Sequence, residues 1–302
     1  MSISGISAIK PTSLKRPGSF TLPLNILLQL QSLLKRSVFS RKFYQEINDK
    51  VLSKSSTVDQ NLYFICYFSL LLSAILNNKP KIIYFLKMQW YKLTQFLKST
   101  IITNTNNADD EKCSILNYEK PVLVESESKL AGHLKKINSY LADIRIFNRL
   151  TDSIKYMPWL IDEYHALTSP SSSVPKLDRY VNVIQALNCI VLELLENAGW
   201  LTDHDWVGTN DNPWWSFETY IWCCRVWGVY LVIEIIEIIR RTPVAKWNKS
   251  WRINLFKNVI QIPLVLHWSL RDGCLTPFWV GVCGSGASWW NFKDMWSSID
   301  LS

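Results

Sequence analysis

The run of small residues at 278–290, FWVGVCGSGASWW, is the first place in this chain to look for a ligand-binding loop. Glycine-rich loops hold phosphate when a strand precedes them and a helix or a Lys-Ser/Thr pair follows. The three glycines here are spaced GxxGxG, no Lys-Ser/Thr pair follows, and no strand pattern precedes them. Small residues four apart instead flatten one face of a helix, so that another backbone can approach it closely in lipid. The residues of this predicted helix-packing face are Gly281, Gly284, Ser285 and Ser288.

Three other groups of side chains could do chemistry, and each has a simpler explanation. His204 lies between two aspartates and could bind a metal, but an acidic, solvated loop also accounts for it. His267, with Cys274 or Cys283, could activate a thiolate, but a histidine next to a tryptophan at a helix end is typical of a membrane interface. Four glutamates on two helices suggest a carboxylate metal site but lack the Glu-x-x-His motif. These are Glu193, Glu196, Glu234 and Glu237. We predict no catalytic, cofactor or metal site, and a protein that is not an enzyme.

The composition indicates a membrane protein. Charged residues make up 19% of the chain, below the roughly 25% of soluble domains. Of the 15 tryptophans, 13 lie between Trp200 and Trp296, and such amphipathic rings are favoured at the boundary between water and lipid. A large soluble core rich in aromatic residues is the alternative. Seven cysteines without a paired framework predict a reducing environment and no disulfides.

The front of the chain is strongly basic. Residues 1–102 contain fourteen Lys or Arg and three acidic residues, so this segment could meet an anionic lipid surface or nucleic acid. Because no zinc-ligand spacing or RNA-binding aromatic motif accompanies the charge, we expect anionic lipids as the partner and no nucleic acid. The basic, serine-rich composition of residues 1–23 predicts a disordered tail. A mitochondrial transit peptide is the alternative.

Helical periodicity dominates the chain, and no run of alternating strand residues is convincing. We predict an all-α fold: a helical membrane protein with an N-terminal amphipathic region and a C-terminal bundle of membrane-embedded helices. The predicted divisions are a tail at 1–23, an N-terminal helical region at 24–102, a linker at 103–129, a central helical segment at 130–165 and the embedded region at 166–302.

Residues 81–102 have the clearest amphipathic pattern, and Pro80 is well placed to begin a helix. At about 100° per residue, their large apolar side chains fall within an arc of roughly 160°. The predicted membrane-inserting residues are Ile82, Ile83, Phe85, Leu86, Trp90, Leu93, Phe96 and Leu97. Lysines on the other side are predicted to contact lipid head groups; they are Lys87, Lys92 and Lys98. A soluble bundle helix that buries the same apolar face is the alternative.

Four longer apolar stretches follow in the back half, each interrupted by charged or polar residues. A charge at the centre of a membrane helix costs about 2.5–3.5 kcal/mol, so we expect these stretches to insert as packed hairpins. The stretches are 180–201, 220–239, 253–268 and 274–290. An earlier uncharged stretch at 62–76 is shorter than the roughly 20 residues that a bilayer requires, so it could be core or interfacial.

Loop charge predicts the orientation of the embedded region. The loop at 202–213 has three aspartates and no Lys or Arg, whereas the loop at 240–252 has five basic residues and no acid. The positive-inside rule places the basic loop in the cytosol. Both termini are then cytosolic if all four stretches span.

Three segments contain residue motifs that are more specific than hydropathy or charge. In 255–288 a basic–Asn pair precedes a proline and a His-Trp pair, and a helix containing glycine follows. The residues of this pattern include Lys257, Asn258, Pro263, His267 and Trp268. In 137–162 the pattern runs through Asp143, Arg145, Phe147 and Arg149. In 194–201 a Leu-Glu-Asn block contains Glu196 and Asn197.

In these segments the chain resembles the peroxin-eleven family of peroxisomal membrane proteins, and its fungal gamma-type branch most. Gln261 stands where that family usually has Asp. The resemblance implies a peroxisomal membrane protein that bends and elongates the membrane before fission, partly through an amphipathic helix. It also implies self-association into a homo-oligomer and recruitment of peroxisome division factors. A pore for small metabolites and a soluble helical adaptor are the alternative functions.

Overall fold

The computed structural model describes residues 40–101, 128–169, 173–208 and 210–300, together with residues 29 and 31. At residues 85, 91, 93 and 95–101 the side chains lie outside this description. Across the described part of the chain the prediction of an all-α fold is confirmed, because the elements there are helices and none is a strand. The predicted tail at 1–23 and most of the predicted linker at 103–129 lie outside the described residues.

Ten α-helices, numbered in chain order, make up most of the described part. A π-helical turn at Asn48–Leu52 and a 3-10 turn at Val244–Lys246 lie between them. The helices are α1 Arg41–Ile47, α2 Ser55–Asn77, α3 Lys79–Ile101, α4 Lys129–Asn148, α5 Asp152–Thr168, α6 Lys176–Asp203, α7 Asn212–Arg241, α8 Lys249–Val259, α9 Ile262–Trp268 and α10 Pro277–Ser297.

Helix α2 is the centre of a three-helix layer and packs between α4 and α10. Ser73, near the end of α2, donates a hydrogen bond to the backbone oxygen of Ala131 at the start of α4, 2.7 Å away. Near the start of α2, Asn61 accepts a 2.7 Å hydrogen bond from the indole of Trp296 at the end of α10. Both neighbours therefore run antiparallel to α2 and cover it from two sides.

Helices α5, α6 and α7 form a second layer with α6 in the middle. Arg179, near the start of α6, is buried and donates from Nη1 to the backbone oxygens of Ala166 and Ser169 at the end of α5. The arginine thereby satisfies carbonyl groups that a helix end leaves unpaired. On the other side of α6, Asp178 at its start pairs with Arg240 at the end of α7, so these two helices are also antiparallel.

The two layers meet at α8 and α9, which both contact α7 and α10, and where α4 touches α6. Leu264 of α9 is fully buried and packs against Val280 and Cys283 of α10. Gly228 of α7 lies so close to Val265 of α9 that a Cβ on the glycine would come within 2.8 Å of the valine. Helix α9 is thus held between the two layers.

The predicted stretch 253–268 is divided into two helices, α8 and α9. The break falls at Ile260 and Gln261, directly before Pro263, whose ring has no N–H and clashes with the preceding turn of a continuing helix. The two helices have 11 and 7 residues, and a bilayer requires about 20, so neither is long enough to cross. The central segment 130–165 is likewise divided, into α4 and α5.

Among the described helices, α2 and α6 are long and apolar enough to cross a membrane. Helix α2 contains the stretch 62–76, and residues at both ends extend the helix to 23 residues. Of the four stretches predicted to be embedded, 180–201 lies in such a helix. By length and composition, each layer therefore contains one candidate membrane-spanning helix.

Candidate functional site

Helix α3 leaves the bundle directly from the end of α2. Asn78 alone separates the two helices, and Pro80 in the first turn of α3 has no N–H with which to continue the hydrogen bonds of α2. Ile82 donates its backbone N–H to the oxygen of Asn78 over 2.9 Å, and its side chain is half-buried at this corner. Within the described part of the chain, the few contacts of α3 are mainly with α2, the helix that directly precedes it.

The described apolar side chains farther along α3 face away from the protein. Ile83, Leu86 and Trp90 are 41%, 58% and 69% exposed. Lys87 and Lys92 are exposed as well, and the whole helix contains lysines and no acidic residue. A bundle helix would bury this face, so the described part of α3 has the character of a surface that a lipid leaflet could cover. The remaining predicted residues, Phe85, Leu93, Phe96, Leu97 and Lys98, have side chains outside the described residues.

A second apolar surface, the outer panel, runs along the exposed sides of α6 and α7. On α6 its residues are alternately three and four apart, which places them on one helix face. From first to last they cover roughly 26 Å at 1.5 Å per residue, close to the ~30 Å of a bilayer's hydrocarbon core. The outer panel consists of Leu177, Tyr180, Ile184, Leu187, Val191 and Leu194 of α6 with Trp222, Val229, Val232, Ile236 and Ile239 of α7.

The two ends of the outer panel differ in chemistry. Three exposed tryptophans lie at the acidic loop 202–213 and the start of α7. They are Trp206, Trp214 and Trp215. At the other end Arg240 and Arg241 both donate to the buried Glu237, with 2.6 Å between Arg241 Nε and Glu237 Oε2. Tryptophans at one boundary and arginines at the other are typical of a surface that faces a membrane.

The residues of the central motif meet between α2, α4 and α6. Arg145 of α4 donates to Asp59 of α2, with 2.9 Å between Nε and Oδ1. Arg149 donates to Glu196 of α6 over 2.8 Å, and the neighbouring Asn197 donates to a backbone oxygen in the turn between α4 and α5. Burial acts to lower the pKa of Arg145, but the Asp59 carboxylate, with smaller contributions from Tyr67 and Tyr63, raises that pKa above its ordinary value. The motif therefore forms charged links between three helices.

Asp143 and Phe147 of the same motif contact the end of α6. Asp143 accepts a 2.7 Å hydrogen bond from the indole of Trp200, and Nε2 of His204 lies 3.2 Å from the same carboxylate oxygen. The His204 ring stacks on Trp200 with 4.0 Å between centroids, and Phe147 lies 5.4 Å from that indole. His204 thus belongs to a cluster with an aromatic ring and one carboxylate. Within the described residues no group of three or more His, Cys, Asp or Glu could hold a metal ion.

Residues of the C-terminal motif shape the corner between α8 and α9. Lys257 donates to the side chain of Asn291 in α10, with 2.7 Å between Nζ and Oδ1. Asn258 is half-buried there and donates to a backbone oxygen of its own helix. Pro263 lies in the first turn of α9. The side-chain N–H of Gln261 donates to the backbone oxygen of Lys257 over 2.7 Å, so a neutral amide caps this turn.

His267 and Trp268 hold the connection between α9 and α10. Nδ1 of His267 accepts the backbone N–H groups of Cys274 and Leu275 at 2.7 and 3.0 Å. Burial lowers the pKa of His267, which favours the neutral ring that can accept these bonds. Trp268 packs against the core of α9 and α10, and its ring centroid lies 6.1 Å from that of Tyr67. In the structure this histidine positions a loop.

The small residues of α10 lie where α10 meets α2. A Cβ on Gly281 would lie 2.7 Å from the backbone nitrogen of Leu71, and one on Gly284 would overlap a tyrosine ring of α2. Ser285 and Ser288 are buried beside them, and Ser288 donates to the backbone oxygen of Gly284 over 2.8 Å. The two helix backbones therefore approach closely at this face.

A cavity of about 820 Å³ lies where the two layers meet. Its walls come from α2, α4, α6, α7 and the connection from α9 to α10. It includes the ion pair of Arg149 and Glu196 as well as His267 and Trp268, so the two motifs share one site. Arg225 does not line this cavity; it is exposed, and its guanidinium lies over the ring of Trp222 on α7.

The four glutamates considered as a metal site do not form one, because Glu196 and Glu237 are in the ion pairs described above. Glu234 accepts from Gln185 over 3.3 Å, and Glu193 is buried. The sequence reasoning missed Asp59 as the partner of the central motif. A signal for it existed, since it is the only charged residue of α2, and a single charge in an apolar helix calls for a partner when it is buried.

No family model, curated protein or solved structure matches this chain. The resemblance to the peroxin-eleven family therefore stays a prediction that rests on the motif residues.

Proposed function

We propose that this protein is bound to the peroxisomal membrane and that it bends and elongates this membrane by inserting α3 into one leaflet. The observation that carries the proposal is the exposure of the described apolar face of α3 outside the helical bundle. An amphipathic helix buries such a face at the boundary of head groups and acyl chains, which expands the leaflet that it enters. Because α3 contains lysines and no acid, anionic head groups are its preferred surroundings.

The outer panel supplies the attachment to the membrane in this proposal. Its apolar length is close to the thickness of the hydrocarbon core, and tryptophans and arginines lie at its two ends. The basic end, with Arg240 and Arg241, faces the cytosol by the positive-inside rule. The peroxisomal location, the self-association and the recruitment of division factors are supported by the family resemblance.

The test compares two charge substitutions in the full chain, reconstituted into anionic vesicles and imaged by electron microscopy. Leu86→Glu with Trp90→Glu removes the apolar face of α3, so we expect vesicle tubulation to be lost. Ile154→Glu places a carboxylate at a similarly exposed residue of α5, outside α3 and the outer panel, and should tubulate vesicles like the unchanged protein. Tubulation by the α3 double variant at the unchanged level would refute the proposed mechanism.

A pore for small metabolites is the second candidate, and the cavity with charged walls is the observation that favours it. Such a cavity could form part of a path for polar solutes. The purified chain in planar bilayers should then pass small anions or cations, and Arg149→Gln should change the selectivity. Bilayers that stay silent would remove this candidate, and release of the protein from membranes by alkaline carbonate would instead favour a soluble adaptor.

A further inference from the structure

One wall of the cavity is a continuous row of aromatic rings. The centroids of Tyr63 and Tyr67 are 5.1 Å apart, those of Tyr67 and Trp268 are 6.1 Å apart, and those of Trp268 and Trp227 are 6.1 Å apart. All four rings line the cavity, and we call them the aromatic wall. The guanidinium carbon of Arg145 lies 4.2 Å from the centroid of the Tyr63 ring, so a cation of the protein already occupies one end of this wall.

The arginines that line the cavity are each matched by a carboxylate. The pairs are Arg145 with Asp59, Arg149 with Glu196, and Arg271 with Glu218. Three further carboxylates line the cavity. Asp143 lies 3.2 Å from Nε2 of His204, whereas Asp203 and Asp272 are exposed and form no ion pair among the described residues. Asp203 accepts a 3.4 Å contact from the hydroxyl of Ser216. Negative charge therefore exceeds positive charge around the cavity.

We propose that this cavity binds a small organic cation, with an ammonium or quaternary ammonium group against the aromatic wall and Asp203 and Asp272 balancing its charge. Aromatic faces attract such groups electrostatically, tryptophan most of all. The volume of about 820 Å³ lies within the usual range of ligand pockets, roughly 300–1,000 Å³. An anionic ligand is disfavoured because every arginine on the lining already has a carboxylate partner.

The first experiment measures binding of choline to the purified full chain in a maltoside detergent by isothermal titration calorimetry. The neutral isostere 3,3-dimethyl-1-butanol has the same shape without the charge. We expect saturable choline binding and at least tenfold weaker binding of the isostere. Equal affinity for both compounds, or no binding of choline, would overturn the proposal.

Matched variants locate the binding site. Asp203→Asn and Asp272→Asn should each weaken choline binding several-fold, and Trp227→Leu should weaken it by tenfold or more, because this substitution removes one face of the aromatic wall. Asp162→Asn deletes a carboxylate of α5 that does not line the cavity and should bind choline like the unchanged protein. If the aspartate variants bind choline as well as the Asp162 variant does, the ligand lies elsewhere and the proposal is wrong.

The ammonium group could belong to a free solute or to a lipid head group, and nanodiscs distinguish these sources. In discs of phosphatidylglycerol the protein should bind choline as it does in detergent. In discs of phosphatidylcholine, loss of the choline signal would show that the lipid head group occupies the cavity, and an unchanged signal would identify a free solute as the ligand. These measurements are independent of tubulation by α3, so either proposal can fail without the other.

Discussion

Helices α2 and α6 both have the length and composition of a membrane-spanning helix, yet the fold places them in different surroundings. In the most apolar window of each helix, 33% of α2 is buried inside the protein and 17% of α6. Each is the middle helix of its layer, α2 between α4 and α10 and α6 between α5 and α7, but one face of α6 stays exposed and forms half of the outer panel. Apolar composition shows that a helix avoids water, and its neighbours decide whether protein or lipid covers it.

Charged side chains near the two helices strengthen this contrast. Lys135 and Lys136 of α4 are exposed alongside the middle of α2. If α2 crossed a bilayer with α4 attached, each lysine would enter hydrocarbon at a cost of about 2.5–3.5 kcal/mol. On α6 the charged Arg179 and Glu193 are buried, so the α6 half of the outer panel contains no charge. The α7 half contains one, because the exposed Arg225 lies over the ring of Trp222. We therefore expect α2 to act as a core helix and α6 to face lipid.

The largest expected effect is the loss of unfolding free energy when the ion pair between α2 and α4 is broken. Arg145→Ala leaves Asp59 without its partner in a largely buried site, and breaking such a pair costs about 4 kcal/mol of unfolding free energy. Thermal unfolding in detergent measures the loss. The double variant Arg145→Met with Asp59→Leu leaves no unpaired charge and should recover part of the stability. An Arg145→Ala protein as stable as the unchanged chain would mean that α2 is not held to α4 in this way.

A pair of lysine substitutions tests which helix faces lipid. Leu187→Lys puts a charge in the middle of the outer panel, so we expect membrane partitioning to fall by about 3 kcal/mol, roughly a hundredfold. Ile65→Lys makes the same change at a similarly exposed residue of α2 and should leave partitioning nearly unchanged. Flotation with vesicles measures both variants. The comparison fails if the α2 variant dissociates and the α6 variant stays bound.

Two glycine substitutions test the close approach of α2 and α10. In Gly281→Val the new side chain would meet the backbone of Leu71, so we expect a loss of about 2 kcal/mol, as in other overpacked cores. Gly132→Val in α4 enters open space, since no atom lies within 4 Å of a Cβ there. Unfolding in detergent should separate the two variants, and equal stability would show that this contact contributes little to the core.

The smallest expected effect is the pH dependence of the loop at His267. The folded protein holds the pKa of this histidine below its ordinary value, so the neutral ring contributes stability above that ordinary value, about 6.5. The contribution falls as the pH drops from the ordinary pKa towards the folded one. The melting temperature should therefore decrease slightly between pH 7 and pH 5. His267→Asn keeps a hydrogen-bond acceptor without this titration, and a matching decrease in the variant would rule out His267 as the cause.

How much of this structure could be predicted depends on the range of each interaction. The face of small residues on α10 could be predicted from residues spaced four apart, because that spacing is a local property. The break between α8 and α9 also has a local cause, Pro263, although we expected one continuous stretch there. The pairing of Asp59 with Arg145 joins residues 86 apart in sequence, and no local pattern connects them.

Helical structure in the described part of the chain, and the apolar face of each helix there, could be predicted from the residues alone, because propensity and periodicity are set within a few turns. Which of these faces are covered depends on the packing of the helices. The fold packs α2 between α4 and α10, leaves the described face of α3 and the outer panel of α6 and α7 exposed, and brings two distant motifs to one cavity. These outcomes depend on contacts between residues far apart in sequence, which no local pattern specifies.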